Sequence, residues 1–191
     1  MKLVLGVSGA SGAPYALRTL QFLAGPGRDA GIETDVVFTK TGRVVWNHEV
    51  GVDPASFGFR IWPAGDMTAP FASGSARYDA MLIVPCSAGC LARIAHGMSM
   101  DLVGRAADVM LKERRPLVMV LRETPFSLVH VKNLELAVSA GAIVMPAAPS
   151  FYSRPATMEA LLDTVVARAL DRLGIDNELV RRWSGLESTD D

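Results

Sequence analysis

The sequence predicts one doubly wound α/β domain built on a parallel sheet. Two short runs, residues 3–7 and 117–121, contain no polar residue, as is typical of strands covered on both faces. Longer stretches carry apolar residues at helical spacing, for example Leu102, Ala106 and Val109. Strands and helices alternate along the chain, which indicates parallel pairing through helical crossovers.

The first predicted unit is a strand at residues 3–7, a loop rich in glycine and serine, and a helix over residues 14–23. Gly9 and Gly12 let the backbone approach a ligand closely, and a helix N-terminus favours an anion. The spacing of the glycines excludes a P-loop and does not match Gly-x-Gly-x-x-Gly. Residues 25–27, Gly-Pro-Gly, are predicted to form a turn.

The second quarter of the chain predicts two further strands and a long surface loop. One strand, residues 34–38, ends in Thr39 and Lys40, and a short helix then runs to Glu49. Glu49 by itself is typical of a plain surface carboxylate. Residues 59–62 are predicted to form a short edge strand, and residues 65–75 a surface loop long enough to be functional.

The two cysteines lie four residues apart, in a loop that follows a predicted buried strand at residues 81–84. This loop reads Pro-Cys-Ser-Ala-Gly-Cys and contains Cys86 and Cys90. None of the three histidines has a ligand spacing with them, so we expect no metal site. So few cysteines do not make a disulfide framework, and they fit a reducing compartment. We therefore expect a cytoplasmic protein.

Residues 105–125 combine a helix, a strand and a charged strand end. Pro116 ends the helix, and the apolar strand 117–121 runs directly into Arg122 and Glu123. In open α/β sheets, ligands bind just beyond the carboxyl ends of the strands. An arginine–glutamate pair at that place indicates a binding site.

Three cations fall within this one helix–strand unit: Arg105, Lys112 and Arg122. Arg105, Asp108 and Lys112 are three and four residues apart and share one helix face. Together the cations favour an anionic ligand, with phosphate the leading candidate. A solvated helix face with an ion pair at the strand end is the alternative.

The last third of the chain predicts two helices around a final strand. Ser127 caps a helix that runs to Ala140, and residues 142–145 form the strand. A proline-bounded loop with Tyr152 follows. Thr157 caps the final helix, on which Arg168 lies at the edge of the apolar stripe. The tail after Trp183 is polar and acidic, and we expect it to be mobile.

The composition excludes two classes of partner and favours a third. The net charge of −1 gives no basic footprint, which argues against nucleic acid. No apolar segment approaches the length that spans a membrane. Half of the residues are hydrophobic, more than a covered parallel sheet alone explains, so we expect a homo-oligomer.

These residues leave three functions open. The chain is an enzyme acting on a phosphorylated or nucleotide-type ligand, a flavin or nucleotide carrier without chemistry, or a structural oligomer whose cations only form salt bridges. A serine hydrolase is excluded because no Gly-x-Ser-x-Gly elbow is present. The glycine spacing and the lack of a placed acidic ribose ligand argue against a nicotinamide dehydrogenase.

Five motifs taken together carry a family resemblance. They are Gly-Val-Ser-Gly-Ala-Ser-Gly-Ala-Pro-Tyr, Pro-Cys-Ser, Arg-Ala-Ala-Asp-Val-Met-Leu-Lys-Glu-Arg-Arg-Pro-Leu-Val, Arg-Glu-Thr-Pro and Pro-Ala-Ala-Pro-Ser-Phe-Tyr. In this order, over residues 2–183, they resemble the UbiX-type flavin prenyltransferases of the flavoprotein superfamily. The block at residues 105–125 is the most specific part of the resemblance.

The resemblance implies a flavodoxin-like domain at residues 1–175, followed by a C-terminal segment at residues 176–191. It implies a dodecamer with its sites at subunit interfaces. The implied reaction joins a dimethylallyl group from dimethylallyl phosphate to N5 and C6 of reduced FMN, with no metal. The product, prenylated FMN, would serve a decarboxylase of the UbiD type.

The resemblance also implies roles for individual residues. Catalysis would rest on Ser11, Glu49, Lys112 and Glu123. FMN would be held by Gly9, Ala10, Ser11, Thr39, Ser87, Ala88, Gly89, Cys90 and Arg122. The prenyl phosphate would be held by Lys112, Arg122, Glu123, Tyr152, Arg168 and Trp183, with Arg105 from a neighbouring chain.

Some positions depart from the family pattern, and two other functions remain. Thr39 stands where serine is common, Cys90 replaces a residue that is often threonine or lysine, and the residues just before Glu49 are unfamiliar. An FMN-dependent decarboxylase of the related superfamily usually needs a histidine near the first helix, and none lies between Met1 and Asn47. A non-catalytic FMN-binding protein would not need the phosphate-binding residues.

Overall fold

The computed structural model describes residues 1–185 and contains one six-stranded sheet in which every neighbouring pair of strands is parallel. The predicted acidic tail lies mostly outside the described residues. The strands are β1 (Lys2–Val7), β2 (Glu33–Phe38), β3 (Arg60–Trp62), β4 (Ala80–Cys86), β5 (Leu117–Leu121) and β6 (Ile143–Pro146). The predicted parallel α/β architecture is confirmed.

Six α-helices connect the strands or follow them. They are α1 (Ala13–Phe22), α2 (Lys40–Glu49), α3 (Ala88–Ala95), α4 (Leu102–Lys112), α5 (Leu128–Ser139) and α6 (Met158–Arg172). The predicted caps Ser127 and Thr157 are observed, and the structure adds Thr39 and Ser87. Each of the four accepts a backbone N–H from the first turn of the helix that follows. None of the described helices is long and apolar enough to cross a membrane.

The strand order is β3-β2-β1-β4-β5-β6, so the sheet is doubly wound. Without the three-residue edge strand β3, the order becomes the 2-1-3-4-5 arrangement of flavodoxin-like sheets. The chain changes direction across the sheet between β1 and β4. Ligands in such sheets bind beyond the strand ends at this switch point, so the topology itself indicates where a site lies.

The core consists of two apolar layers, one on each face of the sheet. On one face Leu3 and Leu5 pack with Leu20 of α1 and Leu170 of α6, all fully buried. On the other face Val4 belongs to the layer covered by α3 and α4. Because successive strand residues face opposite apolar layers, residues 3–7 of β1 and 117–121 of β5 contain no polar residue, as the sequence predicted.

Two predicted loops have a different structure. The turn predicted at Gly-Pro-Gly is a π-helical continuation of α1, Leu23–Gly27, with Pro26 inside it. A helical backbone suits the fixed φ of proline, and the wider turn tolerates its missing N–H. The predicted surface loop at residues 65–75 contains two 3₁₀ turns and the fully buried Phe71, whose ring contacts Trp62 and Tyr78 edge-on. This segment covers the sheet.

Candidate active site

The carboxyl ends of β1, β2, β4 and β5 are fastened together at one edge of the sheet. Backbone hydrogen bonds join Ser8 N–H to Pro85 O (3.1 Å), Thr39 N–H to Val7 O (2.9 Å) and Arg122 N–H to Cys86 O (2.9 Å). The segments predicted to bind FMN all begin at these ends. The predicted strand-end cleft therefore has a continuous floor within a single chain.

Glycine is required where the first loop meets α2. A Cβ on Gly9 would lie 2.5 Å from the Cβ of Thr41, and one on Gly42 would lie 2.3 Å from the carbonyl oxygen of Val7. Both distances are shorter than the 3.0 Å below which Cβ contacts essentially never occur. The hydroxyl of Thr39 accepts the N–H of Gly42 at 2.9 Å, so the predicted FMN-binding threonine also caps α2. These contacts bring the start of α2 against the glycine loop.

Glu49 caps α1 from outside that helix. The residue at the N-cap position is Gly12, which has a left-handed φ of 113° and no side chain to cap with. The Oε2 atom of Glu49, at the end of α2, instead accepts the N–H groups of Gly12 and Ala13, each at 2.8 Å. The carboxylate thus lies at the positive end of the α1 dipole. Trp46, fully buried one turn earlier, anchors this end of α2.

The surroundings of Glu49 favour its charged form. Burial acts to raise the pKa of Glu49, but hydrogen bonds from Ser11, Gly12 and Ala13 and the charge of Arg122 lower it by more, so the pKa lies below its ordinary value. The stem of Arg122 lies 3.8 Å from where a Gly12 Cβ would be. The structure therefore brings the predicted residues Ser11, Glu49 and Arg122 together.

The second segment predicted to bind FMN, residues 87–90, has its backbone facing outward at Gly89. Ser87 caps α3 by accepting the N–H of Cys90 at 3.2 Å. The side chains of Ala88 and Cys90 are buried, whereas Gly89 is exposed. A hydrogen bond to Cys90, and then burial, raise the pKa of the Cys86 thiol. The Cys90 thiol points inward to Cys86 and its N–H is donated to Ser87, so Cys90 supports this segment from within.

Three residues predicted to bind the prenyl phosphate line one cleft of about 540 Å³ beside α6: Tyr152, Arg168 and Trp183. The rings of Tyr152 and Trp183 meet edge-to-face with their centres 5.4 Å apart. The cleft wall also includes Asp171, which the sequence analysis did not select.

Asp171 fixes the chain segment that carries Trp183. Its two carboxylate oxygens accept both terminal nitrogens of Arg182, at 3.0 and 3.1 Å, and the side-chain amide of Asn177 at 3.1 Å. Arg168 is held less closely, at 3.4 Å. A pairing across a turn has no periodic pattern, so only the structure could identify Asp171.

Lys112 lies at the opposite edge of the sheet from Arg122 of the same chain. It ends α4 and pairs with Glu113 at 2.7 Å, just before β5 begins. Beside it, Arg115 donates to Gly74 O, in the segment that leads into β4. The sequence allows this position of Lys112 to be predicted, because a helix that returns to the start of a parallel strand ends at the amino edge of the sheet.

The two remaining predicted residues make local contacts. Arg105, one turn into α4, pairs with Asp108 at 2.8 Å and donates to Ala72 O at 2.9 Å. Glu123 accepts the N–H of Thr124 at 3.0 Å and lies next to Arg122 at the carboxyl edge. One chain thus unites the flavin residues but divides the phosphate residues among α4, the end of β5 and the cleft beside α6.

Comparison with known proteins gives a consistent family. The family model described as Flavoprotein matches residues 1–170. A flavin prenyltransferase UbiX of Deinococcus radiodurans is 45% identical over 185 residues, covering 95% of this chain and 93% of the relative. This chain belongs to the Flavoprotein family and, within it, to the UbiX-type flavin prenyltransferases. The family predicted from the motifs is confirmed.

Two solved structures share the fold almost entirely. A crystal structure of a UbiX protein in complex with FMN and dimethylallyl pyrophosphate is 38% identical, with a TM-score of 0.92, and the match covers 97% of this chain and 98% of the other. A dodecameric FMN-dependent UbiX-like decarboxylase from Escherichia coli O157:H7 is also 38% identical, with a TM-score of 0.91 and coverage of 97% and 100%. Within residues 1–185, no cluster of three His, Cys, Asp or Glu side chains could hold a metal ion.

Proposed function

We propose that this protein joins a dimethylallyl group from a prenyl phosphate to N5 and C6 of reduced FMN. One observation carries the proposal. The carboxyl edge of the sheet presents Ser11, Glu49 and Arg122 as one cluster, in a chain with a TM-score of 0.92 to a UbiX protein bound to FMN and dimethylallyl pyrophosphate. The non-catalytic carrier and the related decarboxylase are the weaker alternatives.

The residues at this edge fit FMN. The helices α2 and α3 begin here, and the N–H groups that caps leave free at helix N-termini bind phosphate. Gly9 and Gly12 hold the backbone where no side chain blocks an approach, and the Arg122 guanidinium supplies a fixed positive charge. We assign FMN to Gly9, Ala10, Ser11, Thr39, the segment from Ser87 to Cys90, and Arg122.

The chain's cations would stabilise the leaving group. The allylic C–O bond breaks with its electron pair going to the phosphate, and reduced FMN supplies the two positions at which new bonds form. Lys112, Arg122 and Arg168 would stabilise the charge on the departing phosphate. Glu123, beside Arg122, would exchange a proton with a phosphate oxygen.

Glu49 is placed to relay a proton. Forming the second bond at C6 would use the prenyl double bond, whose other carbon takes up a proton while C6 loses one. The hydroxyl of Ser11 contacts the Glu49 carboxylate. The amide and arginine contacts keep Glu49 ionised and make it a weak base, so it would pass the proton on through Ser11 rather than keep it. We assign proton movement at the flavin to this pair.

The distribution of the phosphate residues supports a homo-oligomer with composite sites. Lys112 lies at the amino edge of its own sheet, so it would reach a carboxyl-edge site only on another copy. A dodecamer, as in the related E. coli protein, would supply such a neighbour. We therefore propose that Lys112 and Arg105 act on the Arg122 and Glu123 of a different copy.

The outer face of α5 is suited to packing between copies. This helix buries only Asn133 and Ala137. Five large apolar side chains on it are 44–70% exposed: Leu128, Val129, Val131, Leu136 and Val138. Covering them would contribute on the order of 5 kcal/mol per copy. The helix begins just after Glu123, so this interface would bring another copy close to the site.

We further propose that prenylated FMN passes to a decarboxylase of the UbiD type, and that both work in the cytoplasm. The two cysteines are free thiols, as expected in a reducing compartment. We propose that residues 1–175 form the flavin prenyltransferase domain and that the segment beginning at residue 176 closes its prenyl site through Trp183. Contact between Trp183 and Tyr152 supports this role.

Anaerobic incubation with reduced FMN and dimethylallyl phosphate tests the proposal. Mass spectrometry of the released flavin should detect the gain of one five-carbon prenyl unit. A parallel reaction with dimethylallyl pyrophosphate decides between the two donors. An unmodified flavin with both donors would overturn the proposal, and assays for decarboxylation of a peptidyl cysteine would then test the first alternative.

A further inference from the structure

The hydrogen-bond ladder between β1 and β4 stops before the two proposed FMN-binding loops, residues 9–11 and 87–90, begin. The last aligned pair is Gly6 with Ile83. The register of β4 against its other neighbour, β5, shifts between Ile83 and Cys86, and Pro85 has no N–H to donate. The ladder therefore cannot hold the two strands together at the switch point, where the two loops leave the sheet.

Ser8 bridges this gap with three hydrogen bonds. Its N–H and its hydroxyl both donate to Pro85 O, at 3.1 and 2.9 Å. The same hydroxyl oxygen accepts the N–H of Ser87 at 2.7 Å. Ser8 is 1% exposed, so water does not replace these bonds. The hydroxyl both donates and accepts, which a methyl group cannot imitate.

The two residues that this bridge joins, Ser8 and Ser87, lie where the two proposed flavin-binding loops leave the sheet. Gly9 directly follows Ser8, and Ser87 caps α3. We propose that Ser8 is a positioning residue that fixes the distance between the loop at residues 9–11 and the loop at residues 87–90. The inference rests on the proposed function in one respect: FMN is taken to be the ligand that the two loops share.

The physical consequence of losing the hydroxyl is specific to this place. The Ser87 N–H would lose its acceptor in a nearly dry position, and buried donors without partners are costly. The loops would then separate or admit water. FMN would have to draw them back together when it binds, so the loss would weaken its binding.

Ser8→Ala, measured against Thr19→Val, tests the proposal. Thr19 is also a fully buried hydroxyl with one backbone acceptor, Tyr15 O at 2.9 Å, but it lies within α1. We expect Ser8→Ala to raise the Kd for FMN about tenfold and to raise KM for reduced FMN with kcat within threefold. Thr19→Val should leave the FMN Kd within twofold at a similar loss of Tm. Equal FMN affinity in the two variants would overturn the proposal.

Two conservative variants guard against loss of folding. Ser8→Thr keeps the hydroxyl and should restore FMN binding to within about threefold of the wild type. Ser8→Cys keeps the volume but offers only a weakly hydrogen-bonding thiol, so its Kd should lie between those of Ser8→Thr and Ser8→Ala. Wild-type affinity in Ser8→Cys would show that the hydroxyl is not needed.

Amide hydrogen exchange at Ser87 tests the bridge without any ligand. Exchange of this N–H should be faster in Ser8→Ala than in the wild type and unchanged in Thr19→Val. If exchange is faster in Ser8→Ala but the wild type does not bind FMN, the bridge exists and the proposed function is rejected. Unchanged exchange would reject the bridge itself.

Discussion

The carboxyl edge of the sheet that we propose binds FMN (called the flavin edge below) and the residues that we propose bind phosphate are organised in opposite ways. At the flavin edge, Glu49 caps α1, Thr39 caps α2 and Ser87 caps α3, all within one chain. Each of three predicted phosphate-binding cations is paired with a nearby acid in its own helix or next to its end: Arg105 with Asp108, Lys112 with Glu113, and Arg168 with Asp171.

From this difference we infer that the flavin edge is complete in one chain before copies assemble. Backbone amides and caps cannot change partner without unfolding a helix end, so one chain pre-forms the flavin edge. Exposed ion pairs contribute little stability and exchange partners easily. The cations can therefore leave their acids for a phosphate once another copy brings the parts together.

The largest expected effect separates the two regions directly. Glu123→Gln removes the carboxyl that we propose transfers a proton, but it leaves the flavin edge intact. We expect kcat for prenylation to fall about 100- to 10,000-fold, the usual range for general acid–base catalysis, with FMN affinity unchanged. Single-turnover flavin mass spectrometry and FMN titration measure the two quantities.

Glu33→Gln is the matched control for that variant. Glu33 is a well-exposed carboxylate at the amino end of β2, and its loss should change neither quantity. Unchanged turnover in Glu123→Gln would remove Glu123 from the proposed chemistry.

Co-expression of two inactive variants tests whether sites are shared between copies. Lys112→Met and Glu123→Gln should each be nearly inactive alone. If Lys112 serves the Glu123 of another copy, randomly mixed oligomers contain about a quarter of sites with both residues intact. Activity of that order should return. The double variant Lys112→Met/Glu123→Gln, co-expressed with itself, is the control, and failure of the mixture to regain activity would place both residues in one chain's site.

Charges on the outer face of α5 should prevent the assembly of copies. Val131→Glu/Val138→Glu places two carboxylates where we propose that another copy packs. We expect light scattering to detect a smaller particle, because buried carboxylates oppose packing. The prenylation rate should fall at least tenfold, whereas FMN binding at one molecule per chain should fall by less. Val44→Glu, a 67% exposed valine on α2, is the control. Full-sized particles from the double variant would exclude α5 as an interface.

The positions of the proposed FMN residues could be predicted from the sequence far better than those of the proposed phosphate residues. Strand ends, glycines and caps are local features, and parallel strands bring them to one edge by geometry, so Thr39, Ser87 and Arg122 could be placed together. The contact that Glu49 makes could not be predicted, because its acceptor role depends on the missing side chain of Gly12 in a distant segment. Asp171 and the buried Phe71 depend on tertiary contacts that leave no periodic pattern in the sequence.

The smallest predicted effect concerns the stability contributed by Glu49. The pKa of this carboxyl is lower in the folded protein than the ordinary 4.5, so its stabilising effect is present above about pH 4.5 and is lost as the pH falls through the lower folded value. Glu49→Gln should lower the free energy of unfolding by about 1 kcal/mol at pH 7, as expected for a helix cap. The difference should shrink towards pH 3. Urea unfolding at several pH values, with Glu33→Gln as control, measures it, and a gap that does not depend on pH would mean that the charge of Glu49 does not stabilise α1.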